Sequence, residues 1–140
     1  LIAYFDTSGF VKLLVREPGA AEVATAWLEA DRRVSSLLLY PEARAAVGRA
    51  RRLARIAPRQ LGIARRRLER FWAAIDRVEL TEALARRAGD LAEGHGLRAC
   101  DAVHLASFEQ VDDPETVLVS ADSELLDAAR ALGFTTAPLP

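Results

Sequence analysis

Short apolar runs alternate along the chain with longer segments in which apolar residues recur every three or four positions. The short runs predict strands, which lie at residues 2–5, 33–35, 77–80, 117–120 and 134–137. The last of these is predicted to be an edge strand. Strands that alternate with helices are typical of a parallel sheet covered by helices on both faces.

The longer segments predict helices that end at local breaking signals. Pro58 restarts the chain between two helices, and the stretch Gly94-His95-Gly96 is predicted to break another. The predicted helices cover residues 8–16, 20–30, a stretch from about 37, and then 58–75, 81–93, 99–110 and 124–132. The expected fold class is therefore α/β, with a central parallel sheet of four to five short strands, and residues 1–140 fit a single domain.

Composition says more about the cellular location of the protein than about its fold. Apolar residues make up 51% of the chain and charged residues 28%, which is ordinary for a soluble globular protein. Cys100 is the single cysteine and permits no internal disulfide, so a cytoplasmic location is expected. No apolar run approaches the roughly 20 residues of a membrane span, and no membrane association is expected.

The net charge of −1 hides a strong asymmetry. Ten arginines and a single acid, Glu69, lie between Ala43 and Arg70, so this segment carries +9 and the remainder of the chain −10. A charge run of this kind fits a solvated helix face. It also fits a surface for a polyanion or an acidic protein, because Arg suits bidentate recognition of phosphate and carboxylate.

Four carboxylates follow strands or open helices in this pattern. The first strand runs directly into Asp6, and the strand at 117–120 is followed by Asp122. In a parallel sheet both acids emerge at one edge, where ligands of open α/β sheets bind. Glu42 and Asp101 stand in the first turns of predicted helices that face the same edge. Taken singly, each acid also fits a helix cap or a partner of the helix dipole.

The four acids considered together indicate a metal site. Carboxylates gathered at one edge repel one another and raise one another's pKa unless a cation neutralises them. Oxygen ligands without an obligatory cysteine or histidine favour Mg²⁺, with Mn²⁺ as a possible substitute, over zinc. The pattern therefore predicts metal-dependent hydrolysis of a phosphodiester.

A family resemblance is carried by four stretches, YFDTSGFVKLL, YPEARAA, LRACDAVHLA and VSADSELLDAARALGF. In this order they resemble the PIN-domain nucleases, and most closely the VapC-type toxins of bacterial toxin–antitoxin pairs. The resemblance spans essentially the whole chain. It implies a PIN-like three-layer α/β/α sandwich and an endoribonuclease that cuts RNA. It also implies a homodimer that an antitoxin silences by inserting a segment near the active site.

Carried over residue by residue, the resemblance implies a Mg²⁺ site and catalytic centre formed by Asp6, Glu42, Asp101 and Asp122. Family members usually have a hydroxyl residue near the fourth acid, and Ser120 fills that place. Thr7 and Ser8 stand beside the first acid. Gly9 is a mild departure, because a small alanine is common there.

Two arginines and one histidine near these acids have open roles. Arg49, two helical turns after Glu42, and Arg98, just before Asp101, are candidates to hold an RNA phosphate or an antitoxin carboxylate. His104 is interpreted as a hydrogen-bond partner of a neighbouring residue rather than as a general base.

Other functions fit parts of the same pattern. A PIN-fold nuclease that acts on DNA or in RNA processing would carry the same acids. A non-catalytic binding module would use the acids only as helix caps and the arginines to bind a partner. Uptake of Mn²⁺ by the four acids separates a catalytic site from such a module.

Overall fold

The computed structural model describes residues 1–140 and contains five strands and seven α-helices. The strands are β1 (Ile2–Phe5), β2 (Arg32–Ser36), β3 (Asp76–Val78), β4 (Thr116–Ser120) and β5 (Thr135–Pro138). The helices are α1 (Thr7–Phe10), α2 (Ala20–Glu29), α3 (Leu39–Arg52), α4 (Pro58–Ala73), α5 (Glu82–His95), α6 (Ala99–Val111) and α7 (Ser123–Ala131).

The five strands form one fully parallel sheet in the order β3-β2-β1-β4-β5. The central strand β1 pairs on both sides, with Tyr4 opposite Val34 of β2 and Leu118 of β4. The chain moves outward from β1 to β3 and then crosses back to β4 on the other side of β1. The carboxyl ends of β1 and β4 thus form a topological switch point, the usual ligand site of open parallel sheets.

Alternate residues of β1 divide the core into two layers. Ile2 and Tyr4 pack with buried residues of α5, α6 and α7, whereas Ala3 and Phe5 pack with those of α1 to α4. All four β1 residues are buried, as a strand covered on both faces requires. The predicted three-layer α/β/α sandwich is confirmed. None of its helices is long and apolar enough to cross a membrane.

Three predicted boundaries are wrong. The first helix stops at Phe10 and continues as a 3₁₀ turn over Val11–Leu13, instead of running from residue 8 to 16. The strand predicted at 77–80 is β3 at Asp76–Val78. Helix α5 does not break at Gly94, because a single glycine inside a helix costs only about 1 kcal/mol. It ends at Gly96, whose φ of 64° is the left-handed conformation typical of a helix end.

Candidate active site

Asp6 lies at the carboxyl end of β1 and is almost completely buried, with 3% of its surface exposed. Its Oδ1 accepts the Gly9 N–H at 2.9 Å, and its Oδ2 accepts the Ser120 hydroxyl at 2.9 Å. The Ser8 hydroxyl lies within 2.9 Å of both carboxylate oxygens. Burial raises the pKa of Asp6, although these hydrogen bonds oppose the shift. The surrounding donors therefore hold a costly buried carboxyl group in one orientation.

Arg98 lies between the carboxylates of Asp101 and Asp122. Its Nε lies 3.2 Å from Oδ2 of Asp101, and its Nη2 lies 3.5 Å from Oδ2 of Asp122. Burial and the negative charge of Asp122 raise the pKa of Asp101, while the Arg98 guanidinium lowers it. Both carboxylates are largely covered, but the Arg98 side chain is 78% exposed. One exposed cation thus balances two carboxylates that repel each other.

Glu42, in the first turn of α3, is tied to His104 of α6 and to Thr7 of α1. His104 Nε2 lies 2.7 Å from Glu42 Oε1, and the Thr7 hydroxyl donates to the same oxygen at 2.7 Å. Burial by itself would raise the pKa of Glu42, but His104 and Thr7 lower it by favouring the charged carboxylate. His104 therefore bonds a neighbour, as expected, and that neighbour is one of the predicted site acids.

Three of the predicted acids, Asp6, Asp101 and Asp122, lie near one another at the carboxyl edge of the sheet, while Glu42 is bonded to Thr7 and His104. Asp6 caps α1 and Asp122 caps α7 through its bond with the Leu125 N–H, so capping and a place at the site coincide. Asp101 caps no helix and lies in the first turn of α6. Burial is the main cause of the raised pKa of Asp101, and the charges of Asp122 and, to the smallest extent, Asp6 add to it.

The supporting side chains differ in part from the sequence expectation. Ser120 donates to the first acid, Asp6, and accepts the Asp122 N–H at 3.0 Å, so it serves both. Thr7 contacts Glu42 instead of the adjacent Asp6. The bridging position of Arg98 was missed, although its spacing of three residues from Asp101 on a helix was a usable signal. No local signal linked His104 to Glu42, because 62 residues separate them.

Comparisons with known proteins identify the family of this chain. The PIN-domain family model matches residues 3–131. This chain belongs to the PIN-domain family. Its sequence is 44% identical over 137 residues to ribonuclease VapC45 of Mycobacterium tuberculosis. The aligned region covers 98% of this chain and 95% of that relative.

Solved PIN-domain structures share the fold at low sequence identity. The toxin VapC20 of Mycobacterium tuberculosis, described as cleaving the sarcin–ricin loop, has a TM-score of 0.70 at 17% identity, covering 95% of this chain and 96% of its own. VapBC2 of Rickettsia felis, solved with a DNA fragment from its promoter, has a TM-score of 0.67 at 12% identity and covers 100% of both chains. At these identities the likeness establishes the fold.

The oxygen donors of this PIN domain suit a hard divalent cation. As the side chains stand, no three Asp, Glu, His or Cys side chains converge to form a metal site. Asp101 and Asp122 both lie within ion-pair distance of Arg98, whose side chain is exposed. The donors are carboxylate oxygens, which suit Mg²⁺ and Mn²⁺. A groove of about 500 Å³ beside Arg98 and Asp122 opens the site to solvent.

Proposed function

We propose that this PIN-domain protein is a metal-dependent endoribonuclease that acts as the toxin of a toxin–antitoxin pair. The observation that carries the proposal is the placement of Asp6, Asp101 and Asp122 at the switch point between β1 and β4, with Glu42 bonded to Thr7 and His104 of the elements that carry Asp6 and Asp101. The 44% identity with a protein named as a ribonuclease supports the same activity. Mg²⁺ is the proposed ion, with Mn²⁺ as a substitute.

In this proposal Asp6, Asp101 and Asp122 hold the ion, and Glu42 contributes directly or through water. A bound divalent ion polarises the scissile phosphate and lowers the pKa of an attacking water. Ser8, Gly9 and Ser120 fix the Asp6 carboxylate so that it needs no reorganisation. Released from its two carboxylates, the Arg98 guanidinium is free to bind a phosphate oxygen of the RNA.

The negative charges of Asp6 and Asp101 are expected to be essential for cleavage. Asp6→Asn and Asp101→Asn each remove one negative charge at nearly constant shape, so the fold should persist. RNA cleavage with Mg²⁺ should fall by more than the roughly 10- to 100-fold that loss of an outer-shell partner costs. Purified protein, a labelled RNA and a circular-dichroism spectrum of each variant measure this.

Asp90→Asn is the matched control, because Asp90 lies exposed on α5. It should cleave RNA like the unaltered protein. Full activity of either site variant would rule out the proposed centre. Titration with Mn²⁺ separates an enzyme from a non-catalytic binding module, because only a metal site should bind Mn²⁺ and lose it in a variant lacking all four acids. A DNA substrate separates a ribonuclease from a nuclease that acts on DNA.

The arginines of α3 and α4 are the proposed surface for the RNA backbone. Arg44, Arg51 and Arg65 line a groove of about 480 Å³ between these helices, with Val47 and Leu68 among its apolar residues. Arg49 lies exposed on α3, on the helix that also carries Glu42. Such a surface attracts a polyanion over distances of about the Debye length, roughly 8 Å in physiological salt.

The partner is proposed to be an antitoxin protein in the cytoplasm. Several proteins with the same fold were solved as toxin–antitoxin complexes, among them one from Klebsiella pneumoniae. The family resemblance also implies a homodimer. Light scattering of the purified chain, alone and after coexpression with a candidate antitoxin, measures both associations.

A further inference from the structure

A buried chain of hydrogen bonds runs from the central strand to Glu42. The Tyr4 hydroxyl of β1 lies 3.0 Å from Nδ1 of His104, and His104 Nε2 lies 2.7 Å from Oε1 of Glu42. Tyr4 is fully buried and His104 is 2% exposed. Bulk water is therefore excluded from the Tyr4–His104 bond, while the bond to Glu42, whose side chain is 23% exposed, is partly buried.

The chemistry of the three groups fixes the direction of these bonds. Burial raises the pKa of Tyr4 well above its ordinary value, so the phenol keeps its proton and needs an acceptor. With the phenol as donor, His104 Nδ1 at hydrogen-bond distance is the acceptor and carries no proton. The imidazole proton lies on Nε2 and points to the Glu42 carboxylate. The opposite tautomer would place a nitrogen lone pair against a carboxylate oxygen at 2.7 Å.

The hydrogen bonds from Tyr4 to His104 to Glu42 also connect the elements that carry the other acids. Tyr4 lies two residues before Asp6 on the central strand, and His104 lies one helical turn after Asp101 on α6. Glu42 belongs to α3, which packs on the opposite face of the sheet. A single chain of hydrogen bonds therefore sets the place of Glu42 relative to both Asp6 and Asp101.

We propose that Tyr4 and His104 are positioning residues that hold Glu42 for RNA cleavage, with the hydrogen bonds running from Tyr4 to His104 to Glu42. This inference rests on the proposed nuclease function. His104 and Thr7 both bond to Oε1 of Glu42, which leaves Oε2 for the metal ion or its bound water. Partners of this outer kind orient metal-binding side chains and typically contribute 10- to 100-fold to metal affinity or activity.

Tyr4→Phe is the central test, because it removes only the hydroxyl and keeps the packing of the ring. The variant should fold, lose about tenfold in kcat with little change in KM, and bind Mn²⁺ about tenfold more weakly. Tyr40→Phe, which removes the hydroxyl of the only other tyrosine, bonded to Glu69 and not to a site acid, should leave kcat and Mn²⁺ binding unchanged.

Nitrogen-15 NMR of the imidazole reads the tautomer without relying on activity. The spectrum is recorded without metal in a His95→Gln background, which leaves His104 as the sole histidine. The unaltered site should show a proton on Nε2 and none on Nδ1. Tyr4→Phe should lose this preference, since nothing then donates to Nδ1. A proton on Nδ1 in the unaltered site would overturn the proposed direction.

A conservative variant separates positioning from mere core filling. His104→Gln keeps an N–H near the place of Nε2 and should retain most of the cleavage activity and Mn²⁺ affinity. His104→Leu keeps the volume without the donor and should lose about 10- to 100-fold in both. Equal activity of Tyr4→Phe and the unaltered protein, alongside an inactive Asp6→Asn, would overturn this inference while leaving the proposed nuclease intact.

Discussion

Asp6 combines a structural and a chemical demand in one side chain. It caps α1 and accepts three different donors, yet it is buried where a charge is unfavourable. A strand ending in Asp followed by Thr and Ser was compatible with a helix cap or with a ligand at the sheet edge, and only the other three acids favoured the second. The donor from Ser120 of β4 was not predictable, because 114 residues separate it from Asp6.

Asp6→Asn should stabilise the protein at neutral pH when no metal is bound. Burial raises the pKa of Asp6 above its ordinary 3.8, so the folded state binds the proton more readily than the unfolded state. The free energy of unfolding therefore falls as pH rises through this range and stays lower at neutral pH. Asparagine carries no charge to bury and avoids this loss.

Thermal melts in EDTA at several pH values measure the effect. The midpoint of Asp6→Asn should exceed that of the unaltered protein at pH 7, and the difference should vanish as pH drops below 3.8. Asp90→Asn, at an exposed position, should show no such pattern. An Asp6→Asn midpoint below the unaltered one at pH 7 would contradict the cost assigned to the buried charge.

At the scale of elements, the first turn of α1 lies unusually close to β4. A Cβ on Gly9 would meet the Val119 carbonyl oxygen at 2.9 Å and Oδ1 of Asp6 at 3.3 Å. Glycine here permits the close approach that brings Ser8 and Asp6 against Ser120. The sequence showed Gly9 only as a departure from a common alanine, and the close approach emerged from the packing of the two elements.

Two glycine-to-alanine substitutions should therefore change the free energy of unfolding in opposite directions. Gly9→Ala should destabilise the fold and weaken RNA cleavage, because the backbone of β4 must shift to admit the methyl group. Gly89→Ala, inside α5 with open space around it, should stabilise by about 0.5–1 kcal/mol. Urea unfolding of both variants measures this pair, and a stabilising Gly9→Ala would contradict the contact.

At the scale of the whole molecule, periodic apolar positions were sufficient to predict the layers and the parallel sheet. Trp27 and Leu68 lie in the predicted core pattern and are buried in the layer of α1 to α4. Contacts between layers, such as Glu42 with His104, depend on the final packing angles and carried no sequence signal. The same holds for the contact of Arg98 with Asp122.

The charge asymmetry of the whole molecule should appear in the salt dependence of RNA binding. Replacing Arg44, Arg51 and Arg65 by Gln should weaken binding and reduce the slope of log K against log salt by about 2, at roughly 0.7 per lost phosphate contact. The matched control replaces three arginines outside this surface, Arg16, Arg86 and Arg130. The salt dependence of RNA binding is measured by filter retention with Asp6→Asn protein, which should not cleave the RNA. An unchanged slope would exclude these arginines from the RNA surface.

The pairing of β1 with β4 has a consequence for synthesis of the protein in the cell. Asp6 accepts a hydrogen bond from Ser120, and Asp122 lies beside Asp101, so the centre draws on both early and late parts of the chain. A ribosome-bound fragment that lacks β4 and α7 leaves one side of β1 unpaired and has neither Ser120 nor Asp122. A nascent chain should therefore be harmless to the RNA around it until β4 and α7 have left the ribosome.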